Sequence, residues 1–148
     1  MRLKYPVILF YSCLVVFLST DTVKSQQGRF NPDGSFWIIG EAPLGFQNFG
    51  GINLNSNRSP RLQRAGVDLT DGSMIRFKTL SVSRHRLAFA TLTIRGVSYS
   101  FSGKFLRGGV FAAQALDEEP VLEGVLRKRS RGKIVAEARL RFSYFGGT

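Results

Sequence analysis

From Arg86 to Leu106 apolar and polar side chains alternate with period two, the repeat of a β-strand with one buried face. A two-residue turn at Arg95-Gly96 folds the stretch into a hairpin. Ile94 then faces Val97, Leu92 faces Tyr99, Ala90 faces Phe101 and Ala88 faces Gly103. On the other face Thr93 meets Ser98, Thr91 meets Ser100 and Phe89 meets Ser102. This register matches apolar with apolar and mostly polar with polar, and a slip of one residue reverses every side chain. Gly96 supplies the positive φ of a tight turn. Arg95 stands where a primed turn favours Asn or Asp, which leaves the turn type open. The hydroxyl ladder reads as a solvent-facing sheet surface, or as the polar wall of a barrel lumen or groove.

The same period recurs along the chain. Ser35 to Ala42 is predicted as the first strand, with Phe36 and Ile38 on one face, Trp37 and Ile39 on the other, and Pro43 ending it. Leu44 to Gly66 is punctuated by Gly, Asn and Pro; a short strand near Phe49 to Leu54 is expected there, then an exposed loop. Val67 to Thr70 is a strand or a lead-in, Asp71-Gly72 a turn and Ser73 to Val82 a strand. Arg84 to Arg86 turns into the central hairpin, and Arg107 to Gly109 breaks the pattern after it. The alanines of Val110 to Leu116 suit a short helix, while the all-β surroundings favour a strand; Asp117 to Pro120 is a turn.

In the last hairpin Ile134, Ala136, Ala138, Leu140, Phe142 and Tyr144 form one apolar face. A three-residue loop, Ser130 to Gly132, sets Ala136 opposite Leu126, Ala138 opposite Gly124, Leu140 opposite Leu122 and Arg139 opposite Glu123. A two-residue loop would set Leu140 against Glu123, so the longer loop is predicted. The reading is an all-β chain of about seven to nine strands without a convincing amphipathic helix: an antiparallel up-and-down barrel, with a β-sandwich as the alternative. Sequential hairpins of long strands favour the barrel, and closure also removes exposed edges.

The N-terminus departs from this period. Met1 to Pro6 is basic, Val7 to Ser19 is an apolar run, and Val23-Lys24-Ser25 suits cleavage before Gln26. This is a secretory signal peptide pattern, and the run is shorter than the ~20 residues of a spanning helix. Residues 1–25 are therefore expected to be removed, leaving 26–148 as a single β-barrel-like domain, secreted or periplasmic, with no transmembrane segment. Cys13 is the only cysteine and lies inside the apolar run, after Phe10-Tyr11-Ser12, which does not suit lipid attachment. The expected domain holds no disulfide and stands on its core alone. The chain of 148 residues carries 21 Lys+Arg against 10 Asp+Glu, a net charge of +11. Such a balance fits anionic lipids, polysaccharides or nucleic acid, or a basic surface with no anionic partner.

Candidate chemistry is sparse. The one histidine, His85, lies between Arg84 and Arg86 in a turn, where the arginines oppose its protonation; it reads as a surface residue. No His/Cys set has metal-ligand spacing, and Asp117-Glu118-Glu119 reads as a solvated turn rather than a cation site. Nucleophile elbows, phosphate loops and Ser/His/Asp spacing are absent, and nothing in their spacing brings Glu41, Asp68 and Glu123 together. No catalytic residue, metal or cofactor is assigned, and the chain reads more as a binding protein than an enzyme. Asn57-Arg58-Ser59 matches a glycosylation sequon, which Pro60 disfavours.

The sharpest feature is the basic tip of the last hairpin, with Arg127, Lys128, Arg129, Arg131 and Lys133. It reads as a binding site for a polyanion (anionic lipid headgroups, acidic polysaccharide or nucleic acid) or as a solubilising loop. No aromatic residue interleaves it, so base stacking has no support. Arg84 and Arg86 extend the tip's field only if they lie at the same end, and Arg95 and Arg107 are expected at other ends of their strands.

Gly34-Ser35-Phe36-Trp37 resembles the Gly-x-Trp opening of the lipocalins, with one more residue between glycine and tryptophan, a shorter chain and no disulfide. The likeness is one of architecture. The leading expectation is an exported, non-enzymatic barrel that binds a small apolar or amphipathic ligand or a protein partner. Phe36, Trp37, Phe77, Tyr99 and Phe101 are its candidate lining residues, and core packing is the other role open to them. The alternatives are a polyanion-binding surface module built on residues 127–133 and a small cavity-based isomerase or cyclase.

Overall fold

Period-two alternation over short segments, broken by Asp-Gly and Arg-Gly pairs, leaves the chain a succession of strands and tight turns. The computed structural model describes residues 30–54, 65–106 and 119–145; the expected signal peptide, the sequon, Val110 to Leu116 and most of the acidic run lie outside them. The strands are β1 (Ser35–Ile38), β2 (Phe49–Leu54), β3 (Ala65–Leu69), β4 (Met74–Val82), β5 (Arg86–Thr91), β6 (Val97–Phe105), β7 (Leu122–Ser130) and β8 (Lys133–Phe145). Each pairs antiparallel with the next, and β1 pairs with β8 from Ser35↔Phe145 to Ile38↔Phe142. The result is a closed eight-stranded up-and-down barrel. No helix among the described residues is long and apolar enough to cross a membrane.

An eight-stranded barrel is just wide enough for side chains to fill. Here aromatic rings fill it: Phe36, Phe49, Phe89, Phe101, Phe105 and Phe142 are all buried. Their rings meet at centroid separations of 5.7 Å for Phe89–Phe101, 5.5 Å for Phe101–Phe142 and 6.0 Å for Phe36–Phe105, in the range of favourable ring pairs. Outward positions carry Ser98, Ser100 and Ser102, together with Lys104, Glu123, Arg127, Glu137, Arg139 and Arg141. Apolar inside and polar outside is the reverse of a membrane-spanning barrel. The serines of the hydroxyl ladder are thus outer sheet surface, while Thr91 of that ladder is buried inside.

Both predicted hairpins form, and both differ from prediction in register. In the central one Ile94 pairs with Val97 around Arg95 and Gly96, which have φ of 50° and 78°, a primed turn. Below it the ladder runs Ala90↔Ser100, Phe89↔Phe101, Ala88↔Ser102. One extra residue therefore lies between Thr91 and Ile94 on the β5 side. Leu87, Phe89 and Thr91 consequently face inward, and Ala88, Ala90 and Leu92 do not. In the last hairpin the turn is two residues, Arg131 (φ 48°) and Gly132 (φ 80°), with Ser130↔Lys133. The register then shifts beside Val135, and Ala138 pairs with Leu126, Leu140 with Gly124 and Phe142 with Leu122. This is two residues from the prediction, so the apolar face is kept from Ala136 to Tyr144, while Ile134, on the turn side of the shift, is exposed. Glu123 lies opposite Arg141 and pairs with Lys104 of β6 at 3.1 Å, which replaces the predicted Arg139 pair. The first strand is also shorter than predicted, ending at Ile38.

Candidate functional site

The turns β1–β2, β3–β4, β5–β6 and β7–β8 all lie at one end of the barrel, here called the mouth. The opposite end, the base, holds Gly34, the 83–85 turn and the start of β7. The base is stoppered by Phe30 against Phe105 at 6.2 Å and by the Tyr144 hydroxyl, which donates to the Asp33 carbonyl. At the mouth the β1–β2 loop folds inward and buries Phe46 to 1% exposure. Backbone bonds hold that loop, from the Phe46 N–H to the Pro43 carbonyl at 2.9 Å and from the Phe49 N–H to the Phe46 carbonyl at 2.8 Å.

Beside this plug the mouth stays open. β4 and β5 pair only from Phe77↔Thr91 downward, and above that point a single bond from the Leu92 N–H to the Arg76 carbonyl (2.9 Å) joins them. The extra residue after Thr91 carries the chain away from β4, and the gap is a pocket of about 330 Å³. Bulges recur beside binding sites for this reason: they re-aim a strand without ending it. Leu69, Met74, Ile75, Ile94 and Val97 form apolar walls, while Asn48, Asp71, Ser73, Arg95, Tyr99 and Lys128 bring polar groups.

Lys128 shares the parity of Leu122, Gly124 and Leu126, so alternation turns it inward. Its ammonium donates to the Gly45 carbonyl at 3.1 Å, which ties the plug loop to the pocket. Tyr99 is 2% exposed, its ring packs edge-on against Phe49 at 5.6 Å, and burial raises its hydroxyl above the ordinary value of 10.0, keeping it a proton donor. Its backbone N–H, displaced from the ladder by the bulge, donates to the Thr91 hydroxyl at 2.9 Å. At the rim the Asp71 carboxylate accepts from the Ser73 hydroxyl at 2.6 Å and N–H at 2.9 Å; these bonds, with Arg95 nearby, hold it below the ordinary carboxylate range. The pocket thus brings an amine and a buried phenol from opposite positions on β7 and β6 to apolar walls, with the Asp71 carboxylate at the rim.

Of the residues expected to line a cavity, Tyr99 lines this pocket, while Phe36 and Phe101 lie in the packed core and Phe77 packs at a tilt against Phe89 at 4.8 Å. Trp37 stands on the outer wall, 46% exposed, in a shallow depression with Ser143 and Phe145. The basic tip divides. Lys128 points into the pocket, Arg127 pairs with Glu137, and Arg129 reaches the Gly132 carbonyl at 3.3 Å. Arg131 and Lys133 are exposed at the mouth. Arg84, His85 and Arg86 lie at the base, the other end from that tip. Arg95, expected elsewhere, lies beside it: the Arg131 N–H donates to the Gly96 carbonyl at 2.8 Å. Asn48, Asp71, Ser73 and Met74 had no signal as site residues in the sequence, whereas the parity of Lys128 was readable from Leu122 onward. A wider depression of about 520 Å³ on the outer wall, with His85, Arg86, Lys104 and Arg139, lies open to solvent. Among the described residues no His/Cys/Asp/Glu group could hold a metal ion.

No protein family is matched by this chain, and no curated protein or solved structure shows detectable similarity to it.

Proposed function

We propose that this chain is an exported, non-enzymatic binding barrel that holds a small amphipathic anion at its mouth. The observation that carries the reading is inward Lys128 directly across the ladder from buried Tyr99, in a pocket whose apolar walls are Leu69, Met74, Ile75, Ile94 and Val97. A ligand carboxylate or sulfonate accepts from the amine and the hydroxyl, and its apolar body lies against Leu69, Met74, Ile75 and Val97. The volume is at the low end for ligand pockets, about 300–1,000 Å³, which selects a compact ring system or a short chain. Below the pocket the barrel interior is filled by buried aromatic rings, which places the ligand at the mouth. Export is supported by the basic and apolar segments of residues 1–19.

Titration with anilinonaphthalene sulfonate, an apolar anion that fluoresces on entering a dry site, tests this. Saturable binding of one probe per barrel is expected. Lys128→Met, which removes the cation, and Met74→Trp, which fills the slot, should each weaken it at least tenfold, about 1.4 kcal/mol. Absence of saturable binding, or affinity unchanged in both variants, overturns the proposal.

A further inference from the structure

The rim around the pocket combines two kinds of side chain that water does not favour together. Leu44 is 90% exposed, Val135 57%, Ile134 48% and Ile94 44%. Interleaved with them are the exposed cations Arg95, Arg131 and Lys133. The fold gathers these from three separate turns. The Arg131 N–H bond to the Gly96 carbonyl sets the β5–β6 and β7–β8 tips side by side. Gly45 packs so closely on β8 that a Cβ there would stand 2.8 Å from the Ala136 Cβ, which brings the Leu44 loop against the start of β8. The register shift beside Val135 adds an aliphatic side chain just below the tip. Both turns also place arginine at positive φ, where Asn, Asp or Gly is conformationally favoured. Against these cations stand Glu41 and Asp71, the latter held by Ser73.

We infer that the mouth docks on an anionic lipid bilayer. The aliphatic tips enter the headgroup boundary and the arginines and lysine pair with lipid phosphates and carboxylates, the two contributions that together hold a protein on a membrane surface. A soluble polyanion would use the cations and have no use for Leu44, Ile134 and Val135. The docking goes beyond the ligand reading and does not depend on it: the rim does the docking, and the pocket merely opens toward the bilayer.

Co-sedimentation with phosphatidylcholine vesicles, with and without phosphatidylserine, tests the inference. Expected is binding to the serine-lipid vesicles alone, weakening as salt shortens the screening length. Arg131→Asn with Lys133→Gln should reduce it at least tenfold, and Asn suits the turn better than Arg, so the hairpin is kept. Leu44→Ser with Val135→Ser should reduce it severalfold, and Met74→Trp should leave it unchanged. A Val135→Trp reporter in a Trp37→Phe background should shift to the blue on vesicles and be quenched by brominated lipid. No binding to anionic vesicles overturns the inference. So does binding that is indifferent to Leu44→Ser/Val135→Ser with an unshifted reporter, which would mark a site for a soluble polyanion. Loss of docking in Met74→Trp overturns the independence of rim and pocket.

Discussion

The Phe101 ring lies across Gly103 and Gly124, which face each other on β6 and β7. A Cβ at Gly103 would stand 2.4 Å from Phe101 Cζ and 2.4 Å from the Glu123 carbonyl oxygen, and one at Gly124 2.6 Å from the same Cζ. These glycines are the space in which the ring sits, and the ring in turn meets Phe89 and Phe142 at the centre of the barrel. Gly103→Ala is expected to lower stability by about 1–3 kcal/mol, seen as an earlier midpoint in urea. Phe101→Leu in the same chain should return part of that loss, since it removes one of the two obstacles. Simple additivity of the two losses would show that the ring is not the cause. Lys128 is the other decisive residue. Its inward parity was legible from the alternation of β7, but its charge made it look like part of an outward basic tip.

In the β-elements, turn and bulge act as a pair. An Arg-Gly primed turn closes each long hairpin, and each ladder is displaced within a few residues of it, at Leu92-Thr93 and at Val135. The first displacement opens the pocket and strands the Tyr99 N–H, which the Thr91 hydroxyl then accepts while donating to the Leu92 carbonyl at 2.9 Å. Thr91→Val keeps the shape and removes the acceptor. It should cost about 1–3 kcal/mol and speed amide exchange at Tyr99 selectively. Exchange at Tyr99 that stays as slow as at Phe101 would show that the hydroxyl bond is not what protects it.

Across the whole barrel, the two ends differ in kind. The base is closed by Phe30, Phe105 and Tyr144; the mouth is half closed by Phe46 and half open to the pocket. Burial raises both Tyr99 and Tyr144 above the ordinary value of 10.0, and the charge of Asp33 adds to the second. At a pH above that ordinary value the unfolded chain releases these protons first, so the native state binds more protons and stability falls as pH rises. Asp71 is held low mainly by the Ser73 hydroxyl, and Glu123 mainly by Lys104. Their contribution is present above the ordinary carboxylate range and lost as pH falls through the lowered values, but Asp71 is exposed and Glu123 only half-buried, so solvent screens both. The expected profile of urea midpoints is level through neutrality and falls above about pH 10. A fall that sets in near neutrality, or an alkaline limb unchanged by Tyr99→Phe with Tyr144→Phe, would contradict it.

By itself the sequence determined that the chain is a run of antiparallel strands, which face of β6, β7 and β8 from Ala136 onward is apolar, and where Arg95-Gly96 and Asp71-Gly72 turn the chain. Period-two alternation and positive-φ turn chemistry are local, so they are legible without knowing any partner. Only the tertiary structure decided the registers, the inward face of β5, the pocket, and the meeting of Arg95 with Arg131. A bulge adds one residue to one strand, and the neighbours on both sides choose its place. Leu92 leaves the ladder where the pairing of β4 with β5 ends at Thr91, and Val135 is displaced where Leu140 finds Gly124 and Glu123 finds Lys104. Hairpins read one at a time match their own side chains; closing eight strands into a ring imposes conditions that no single hairpin contains.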